Sequence, residues 1–328
     1  MRRIGRLCML AGGLGVGATL ASTPGVASAD PSTDALSWTD QLLGGLSVPA
    51  DPSPLDMQIS FSGIDLLPTA GNTATANSEF GSIAIAIGNG ANANANGGFF
   101  NFSLADGDGA SSSANTGGFG SFDVAVAEGT GSSASAGLIG NFDTAFALGA
   151  GSSAGTGVDG NFDLAVAGAG SSASTGIDAN WDAAFASGVG SHASAGVNSD
   201  FDIASAVGPD SNAAAGLGGS FISASADGAN SSAIAGFGFF DNASAVGTDS
   251  SAYVSGSLDS ALVNGAESLA KVVAGVFDSA TVFGDSSSAL AGAELNVPAS
   301  FDLAAVFGDM LDANATGANW LIDILPSL

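Results

Sequence analysis

Cationic residues, cysteine and histidine are almost absent from this chain of 328 residues. It contains four Lys and Arg against 31 Asp and Glu, with one cysteine and one histidine. Nucleic acids and anionic membrane surfaces are bound through clustered cationic side chains, so we expect neither as a partner. A single cysteine cannot form an intrachain disulfide or a thiolate metal site, so packing and hydrogen bonds must hold the fold together.

The few cations are concentrated at the N-terminus. Three arginines in the first six residues precede an apolar stretch, and the sequence Ala-Ser-Ala stands directly before Asp30. This order is typical of a secretory signal peptide and predicts a leader over residues 1–29; the alternative is an N-terminal anchor that stays uncut. We therefore expect a secreted, extracellular or cell-wall-associated protein. Without the leader, Lys271 would be the sole cation and no cysteine would remain.

An aromatic residue recurs every 19 or 20 positions and marks an internal repeat. Each unit reads aromatic-Asp-x-Ala-x-Ala-x-Gly, then a turn, then Ser-Ser-Ala-x-Ala-Gly and a second turn. Two earlier aromatics, Phe80 and Phe100, extend the series towards the N-terminus. Its regular members are Phe122, Phe142, Phe162, Trp181, Phe201, Phe221 and Phe240.

The alternation within each unit predicts strands. Apolar and other residues alternate over six to eight positions, and Gly, Asn, Asp and Ser separate these runs as turn formers do. Frequent glycine argues against helix, since each costs about 1 kcal/mol relative to alanine. The sequence thus predicts an all-β fold, a parallel β-solenoid or β-roll of about 20-residue two-strand coils. Such coils stack at about 4.8 Å, the usual strand spacing.

The repeat divides the chain into four regions. After the leader, residues 30–78 form a proline-containing linker or cap, with a short amphipathic helix expected over 34–46. Residues 79–256 form the solenoid domain. Residues 257–328 contain degenerate repeats, a short helix expected over 265–277 and a C-terminal cap. These helical or irregular segments would cover the open end coils.

Alanine at two alternate strand positions defines the expected core. Methyl-only positions let two sheets approach closely and form a thin, dry interior. The opposite register would bury valine and phenylalanine in the early coils but serine in the later ones, such as Ser205 and Ser225. We favour the alanine register because a serine core is implausible.

The alanine register turns apolar residues outwards in the middle coils. Exposed apolar stripes mark interfaces, so this surface is the candidate binding site for a protein, a cell-envelope component or a second copy of the chain. The two alternatives are that these residues are the core or that flanking segments cover them. The apolar stripe consists of Val124, Val126, Phe146, Leu164, Val166 and Phe185.

One aspartate per repeat falls in a fixed position after the aromatic residue. Stacking would bring these carboxylates within about 5 Å of each other, where like charges repel. A bound calcium ion would relieve the repulsion, but one carboxylate per coil supplies few of the six to eight oxygens that calcium needs. The favoured interpretation is a solvated column that discourages pairing of strand edges. The candidate ligands are Asp123, Asp143, Asp163, Asp182 and Asp202.

Catalytic signatures are missing. His192 occupies a position filled by Ser133 and Ser153 in other repeats, so it reads as a tolerated polar variant near a turn. No base stands ready to activate a serine, so we expect neither an enzyme nor a resident cofactor. The paired serines, such as Ser152 and Ser153, leave an ice- or polysaccharide-binding face as an alternative, and a disordered low-complexity chain is another.

The A-x-A-x-G and S-x-A-x-A-G strands over residues 80–256 resemble the head coils of trimeric autotransporter adhesins. Those are left-handed parallel β-rolls that bind host matrix, and the resemblance implies an adhesive role, although the unit here is longer and no coiled-coil stalk follows. The leader, the Ala, Gly, Asn and Phe bias and the scarcity of lysine are similar to those of secreted Ala/Gly-rich proteins of mycobacteria. Neither group supplies functional residues for this chain.

Overall fold

The fold is described by a computed structural model, which divides the chain into two units, Met1–Ser53 and Pro54–Leu328. All described residues lie in the second unit. The predicted leader and the helix expected over 34–46 fall outside them. The structure describes residues 56–67, 72–114, 120–247, 249–265, 267–273, 275–283, 286–292, 299–300, 302–307, 311–316 and 322–326.

Every regular element within these ranges is a β-strand. No helix among them is of the length and apolarity that a membrane crossing requires. The strands are β1 Met57–Phe61, β2 Ile64–Asp65, β3 Thr75–Ser78, β4 Ile83–Ile87, β5 Asn92–Ala95, β6 Phe102–Asp106, β7 Ser111–Ala114, β8 Val124–Glu128, β9 Ser133–Ala136, β10 Thr144–Leu148, β11 Ser153–Gly155, β12 Leu164–Ala167, β13 Ser172–Thr175, β14 Ala183–Ser187, β15 His192–Val197, β16 Ile203–Val207, β17 Asn212–Leu217, β18 Ser223–Asp227, β19 Ser232–Ala235, β20 Asn242–Val246, β21 Ser251–Val254, β22 Gly256–Ser257, β23 Ser260–Val263, β24 Leu269–Val273, β25 Gly275–Val276, β26 Ser279–Val282, β27 Ser288–Gly292, β28 Ala299–Ser300, β29 Leu303–Phe307, β30 Asp312–Thr316 and β31 Ile322–Pro326.

Most strands alternate between two long sheets, and β22, β25 and β28 form a third, short parallel sheet. This arrangement confirms the predicted parallel β-solenoid. Sheet I has 15 strands and runs from β2 and β1 through β4 to β31, while sheet II has 13 strands and runs from β3 to β30. From β4 onwards every pairing in sheet I is parallel and joins equivalent residues of adjacent coils. Ala145, for example, pairs with Ala125 and Ala165. Each residue therefore stacks on its counterpart about 4.8 Å away.

The core between the sheets is built from alanine, as the favoured register predicted. Ala125, Ala127, Ala134 and Ala136 are all at most 2% exposed, and their equivalents in the other coils are buried in the same way. Towards the C-terminus valine takes some of the inward positions, at Val254, Val263, Val272, Val282 and Val306. In the first coils serine takes inward positions at Ser60, Ser78, Ser103 and Ser112, where the hydroxyls bond to each other or to a backbone carbonyl. The interior is thin, and the alternate residues of the strands point outwards.

The helix expected over residues 265–277 is wrong. Strand β24 occupies that segment and pairs in parallel with β21 and β27 in sheet II. Its inward residues Ala270 and Val272 alternate with outward ones, so the segment fits a period of two as well as a helical period. Coil stacking decides between them, and parallel pairing continues to β31.

The N-terminal end of the solenoid is closed by a hairpin. Strand β1 runs antiparallel to both β4 and β2, whereas all other pairings in sheet I are parallel. The Gln58 side-chain oxygen accepts the Ala76 N–H at 2.9 Å, and the Asp56 carboxylate accepts the Thr73 and Ala74 N–H groups at 2.6 and 2.8 Å. These side chains satisfy backbone donors of the sheet II edge strand β3, at Ala76, and of the segment that leads into it, at Thr73 and Ala74.

A third side of the coil connects sheet II back to sheet I. Isolated parallel bridges link Asn141, Asn161 and Asn180 in successive coils, and their side-chain amides donate along the same line at 3.0 Å. The ladder ends where Asn180 donates to the Asp200 carboxylate at 2.8 Å. The backbone on this side approaches so closely that glycine is required at several positions. A Cβ on Gly157 would overlap the carbonyl oxygen of Gly176.

We expect Gly157→Ala to lower the free energy of unfolding by more than about 2 kcal/mol, because the backbone of the next coil must shift. Gly155→Ala is the matched control, since a Cβ there meets nothing within 4 Å and its φ is ordinary. Chemical denaturation followed by circular dichroism measures both. Equal stability of the two variants would contradict the close approach.

Candidate binding surface and buried aspartate column

The apolar stripe lies on the outer face of sheet I, in coils that pair directly. Phe146 pairs with Val126 and Val166, and Val166 pairs with Phe185. A second row joins Val124, Thr144 and Leu164 in the same register. All six stripe residues are partly exposed, and Phe185 reaches 37%. The stripe ends at Ser205, where serine replaces the apolar residue.

The aromatic residues of the repeat form a second feature, which we name the aromatic column. Eight rings stack face to face with centroids 4.4–6.2 Å apart, and each ring is 43–59% exposed. Each member lies two residues before the strand that its coil contributes to sheet I, at the edge of the apolar stripe. Its members are Phe100, Phe122, Phe142, Phe162, Trp181, Phe201, Phe221 and Phe240.

Every member of the aromatic column has a left-handed backbone, with φ between 60° and 65°. This conformation is unfavourable for residues with a large side chain. From Phe122 onwards it persists because each aromatic N–H donates to a carbonyl of the preceding coil, for example from Phe142 to Ser121 at 3.1 Å. The spacing of the aromatic residues was evident in the sequence, but their outward stacking was not predicted. Strain repeated at one surface position is typical of a functional constraint.

The aspartate column is buried, so the interpretation of a solvated column is wrong. Asp123, Asp143, Asp163, Asp182 and Asp202 are each at most 1% exposed. In the first four, Oδ1 accepts the backbone N–H of the aspartate one coil further on, at 2.7–3.1 Å. The sequence already indicated this burial. Asp123 lies two and four residues before the inward Ala125 and Ala127, so alternation places it on the same face.

Two positions of the aspartate column hold other residues, one at its N-terminal end and one within it. At its N-terminal end the Asn101 side chain takes the aspartate position. Its Oδ1 accepts the Asp123 N–H at 3.0 Å, and its Nδ2 donates to the Gly97 carbonyl at 2.6 Å. Ile222 interrupts the column, although its N–H still donates to Asp202 Oδ1 at 2.8 Å. The position therefore accepts a backbone N–H from the next coil and also tolerates a neutral residue.

The electrostatics of the column follow from its burial. Loss of water contact raises the pKa of Asp143 to about 8, against an opposing effect of the hydrogen bond from the Asp163 N–H. Repulsion from the Asp163 and Asp123 carboxylates adds to the rise. Burial likewise raises the pKa of Asp182 to about 8, of Asp163 to about 7 and of Asp123 to about 6.

The geometry of the column offers calcium little access. Asp143 Oδ1 is occupied by a backbone N–H, and Oδ2 lies against Gly140, where an added Cβ would overlap it. Within the described ranges, no three His, Cys, Asp or Glu side chains come together as metal ligands would. Calcium binding by this column stays a prediction of the sequence.

The paired serines separate in the structure. Ser132 and Ser152 are buried and donate their hydroxyls to Gly129 and Gly149 carbonyls at 2.8 and 2.7 Å. Only the second serine of each pair reaches the outer face of sheet II, where His192 pairs with Ser172 and Asn212. The hydroxyl array proposed for ice or polysaccharide is therefore only half as dense as the sequence indicated.

Comparison with known proteins gives no relative. No protein-family model, no curated protein and no solved structure matches the chain.

We expect Phe142→Ala to lower the free energy of unfolding by about 1–2 kcal/mol, because it removes two ring stacks with centroids 5.0 and 4.9 Å away while the left-handed backbone remains. Val189→Ala, at a side chain that is 70% exposed, is the control and should leave stability within about 0.5 kcal/mol. Urea unfolding compares them. A neutral Phe142→Ala would mean that the column contributes nothing to stability.

Proposed function

We propose that the protein is a secreted or cell-surface structural module, adhesive rather than catalytic, that presents one flat side of its solenoid to a partner. The partner is a protein, a cell-envelope component or a second copy of the chain. The fold itself, a structural repeat of stacked coils, is the scaffold on which this proposal rests.

The observation that carries the proposal is the apolar stripe beside the aromatic column. Side chains of this size normally lie in a core, but here the core is reserved for alanine and they stand on the surface. Because the coils stack in register, the apolar residues form continuous rows instead of isolated exposed positions. A large contiguous apolar surface on a soluble chain marks an interaction site.

The charge distribution is consistent with this surface being the contact. The chain carries a formal net charge of −27, so two copies or an acidic partner would repel over most of their surfaces. The two rows of the stripe, from Val124 to Phe185, contain no charged residue, whereas Glu128 and Asp106 pair with each other in the adjacent outward row. Apolar contact is therefore possible there without burying carboxylates.

Phe146→Asp and Val166→Asp should abolish binding while leaving the fold intact. Each places a charge in the middle of the apolar stripe, where it would have to lose water on contact. Ser205→Asp adds the same charge in the same row beyond the stripe and is the matched control. Two quantities are measured: the amount of protein retained on cell envelopes of the producing organism, and the association constant for self-association from sedimentation. Each should fall at least tenfold for Phe146→Asp and Val166→Asp, and neither should change for Ser205→Asp.

Circular dichroism spectra of the same variants distinguish the outcomes. Unchanged retention and sedimentation of Phe146→Asp and Val166→Asp would contradict the proposed site. Loss of the β-type spectrum would instead show that these residues support the fold.

Secretion is tested separately. We expect the protein recovered from culture medium or cell wall to begin at Asp30, because the Ala-Ser-Ala sequence before it suits signal peptidase. Mass spectrometry of the N-terminal peptide measures the cleavage site. A chain that retains Met1 and fractionates with the cytosol would contradict the proposed location.

A further inference from the structure

The second oxygen of each buried aspartate points to an unusual chemical state. Asp241 continues the column beyond Ile222 and is 1% exposed, and its Oδ1 accepts the Asp259 N–H at 3.2 Å. Oδ2 of Asp143 and Oδ2 of Asp241 are buried and accept no hydrogen bond. Each faces a backbone carbonyl of the next coil across a glycine. A Cβ built on Gly238 would lie 1.1 Å from the Gly256 carbonyl oxygen and 2.2 Å from Asp241 Oδ2. These two oxygens are therefore at most 3.3 Å apart. Likewise, the Asp143 oxygen lies within 3.9 Å of the Gly160 carbonyl oxygen.

Two oxygens that both carry lone pairs repel at the separation of at most 3.3 Å found for Asp241 unless a proton lies between them. An ionised carboxylate only accepts hydrogen bonds, whereas a protonated carboxyl group donates one through its O–H. A second donor contributes at Asp163, Asp202 and Asp241, from the Trp181 N–H, the Ser199 hydroxyl and the Leu258 N–H respectively. Asp143 is surrounded by one donor, the Asp163 N–H facing Oδ1, and one acceptor, the carbonyl facing Oδ2. This environment matches a neutral acid and leaves a carboxylate with an unpaired buried charge.

Asn101 provides independent support, because it occupies the same column with a neutral side chain. Its Oδ1 accepts the N–H of the next coil and its Nδ2 donates to a backbone carbonyl. A protonated aspartate has the same pairing of one acceptor and one donor, although the Asn101 donor reaches a carbonyl four residues earlier in its own turn and Oδ2 of Asp143 faces the next coil. The side chain at the head of the column therefore shows which hydrogen-bonding pattern the position prefers.

We propose that the aspartate column is a ladder of neutral carboxylic acids, in which each side chain accepts an N–H through Oδ1 and donates a proton through Oδ2 towards a carbonyl of the next coil. The Oδ1 bonds persist when the column ionises, but the Oδ2 link to the next coil exists only while the column holds these protons. The solenoid is therefore a pH-sensitive assembly that is most stable in acid and loosens as the column ionises.

The charged groups around the column all favour the protonated form of its carboxyls. Asp143 faces Asp123 and Asp163 above and below it, and Asp200 adds repulsion at Asp163 and Asp182. The two basic side chains in the described part of the chain, His192 and Lys271, lie on sheet II and pair with outward residues of that sheet. No cation in that part of the chain compensates an ionised column.

The sign of the pH effect follows from these environments. In the unfolded chain the carboxyls ionise near the ordinary pKa of 3.8, but in the folded chain burial raises the pKa of Asp143 to about 8 and of Asp123 to about 6. Between about pH 4 and 8 the folded protein holds more protons than the unfolded protein. Its stability therefore falls as the pH rises through this range.

The test compares the thermal melting of the full chain at pH 5 and pH 9. The wild type should melt lower at pH 9 by on the order of 5 °C or more. The double variant Asp143→Asn, Asp163→Asn supplies the neutral pattern of Asn101 permanently. It should match the wild type at pH 5, exceed it at pH 9 and show a smaller shift between them. Asp210→Asn changes an exposed carboxylate and should behave as the wild type does at both pH values.

Two results would overturn the proposal. One is a wild-type melting temperature that is equal or higher at pH 9. The other is an asparagine variant that melts as low as Asp143→Ala, Asp163→Ala at both pH values, since a neutral donor would then be no substitute for the acid.

Infrared spectroscopy of the folded wild type provides a readout that does not depend on any variant folding. At pH 7 the protonated carboxyl C=O band should be present and should shift when the aspartates carry ¹³C. Its absence at pH 7 would also overturn the proposal.

Discussion

In-register stacking is the constraint on which the rest of the structure depends. Parallel pairing places each side chain beside the residue at the equivalent position of the next coil, about 4.8 Å away, along the whole solenoid. Such columns are favourable for methyl groups, which close the core, for aromatic rings, which stack, and for side-chain amides, which donate to one another. They are unfavourable for charges. The polar residues of the interior must therefore be neutral, or be satisfied by backbone groups as the serine hydroxyls are.

The same constraint explains why large apolar residues stand outside. The two sheets are separated by alanine, so a phenylalanine in the core would force them apart along the entire column. The bulky residues at Phe146 and Phe185 can only occupy the outer face or the corners. The thin core leaves the coil-to-coil hydrogen bonds, the aromatic column and the buried side chains of the turns to supply much of the cohesion. Close contacts such as that of Gly157 with Gly176 show how little room these connections leave.

The strand period and the repeat length were enough to predict the solenoid, its coil length and its alanine core. They were not enough for residues 265–277, where apolar spacing fitted helix and strand equally and pairing with β21 and β27 decided the outcome. The candidate site was predicted in part. The outward stripe follows from alternation, but the stacked rings depend on a left-handed backbone at residues such as Phe142, which no local pattern specifies. Asp143 lies two residues before the inward Ala145, so strand alternation already placed it on the buried face. The assumption that a carboxylate must be solvated led to the wrong interpretation.

The hairpin at one end makes the solenoid directional. Strands β1 and β2 turn back on the first coil of sheet I and block addition on that side, whereas each later coil contacts mainly the coil that precedes it in the chain. Contacts between neighbouring coils span about 20 residues, so each closes a short loop onto a surface already formed. The order in which the chain emerges from a ribosome or a translocation pore is thus the order in which its coils can assemble. Folding can proceed as templated growth from the hairpin end, without waiting for the C-terminal residues.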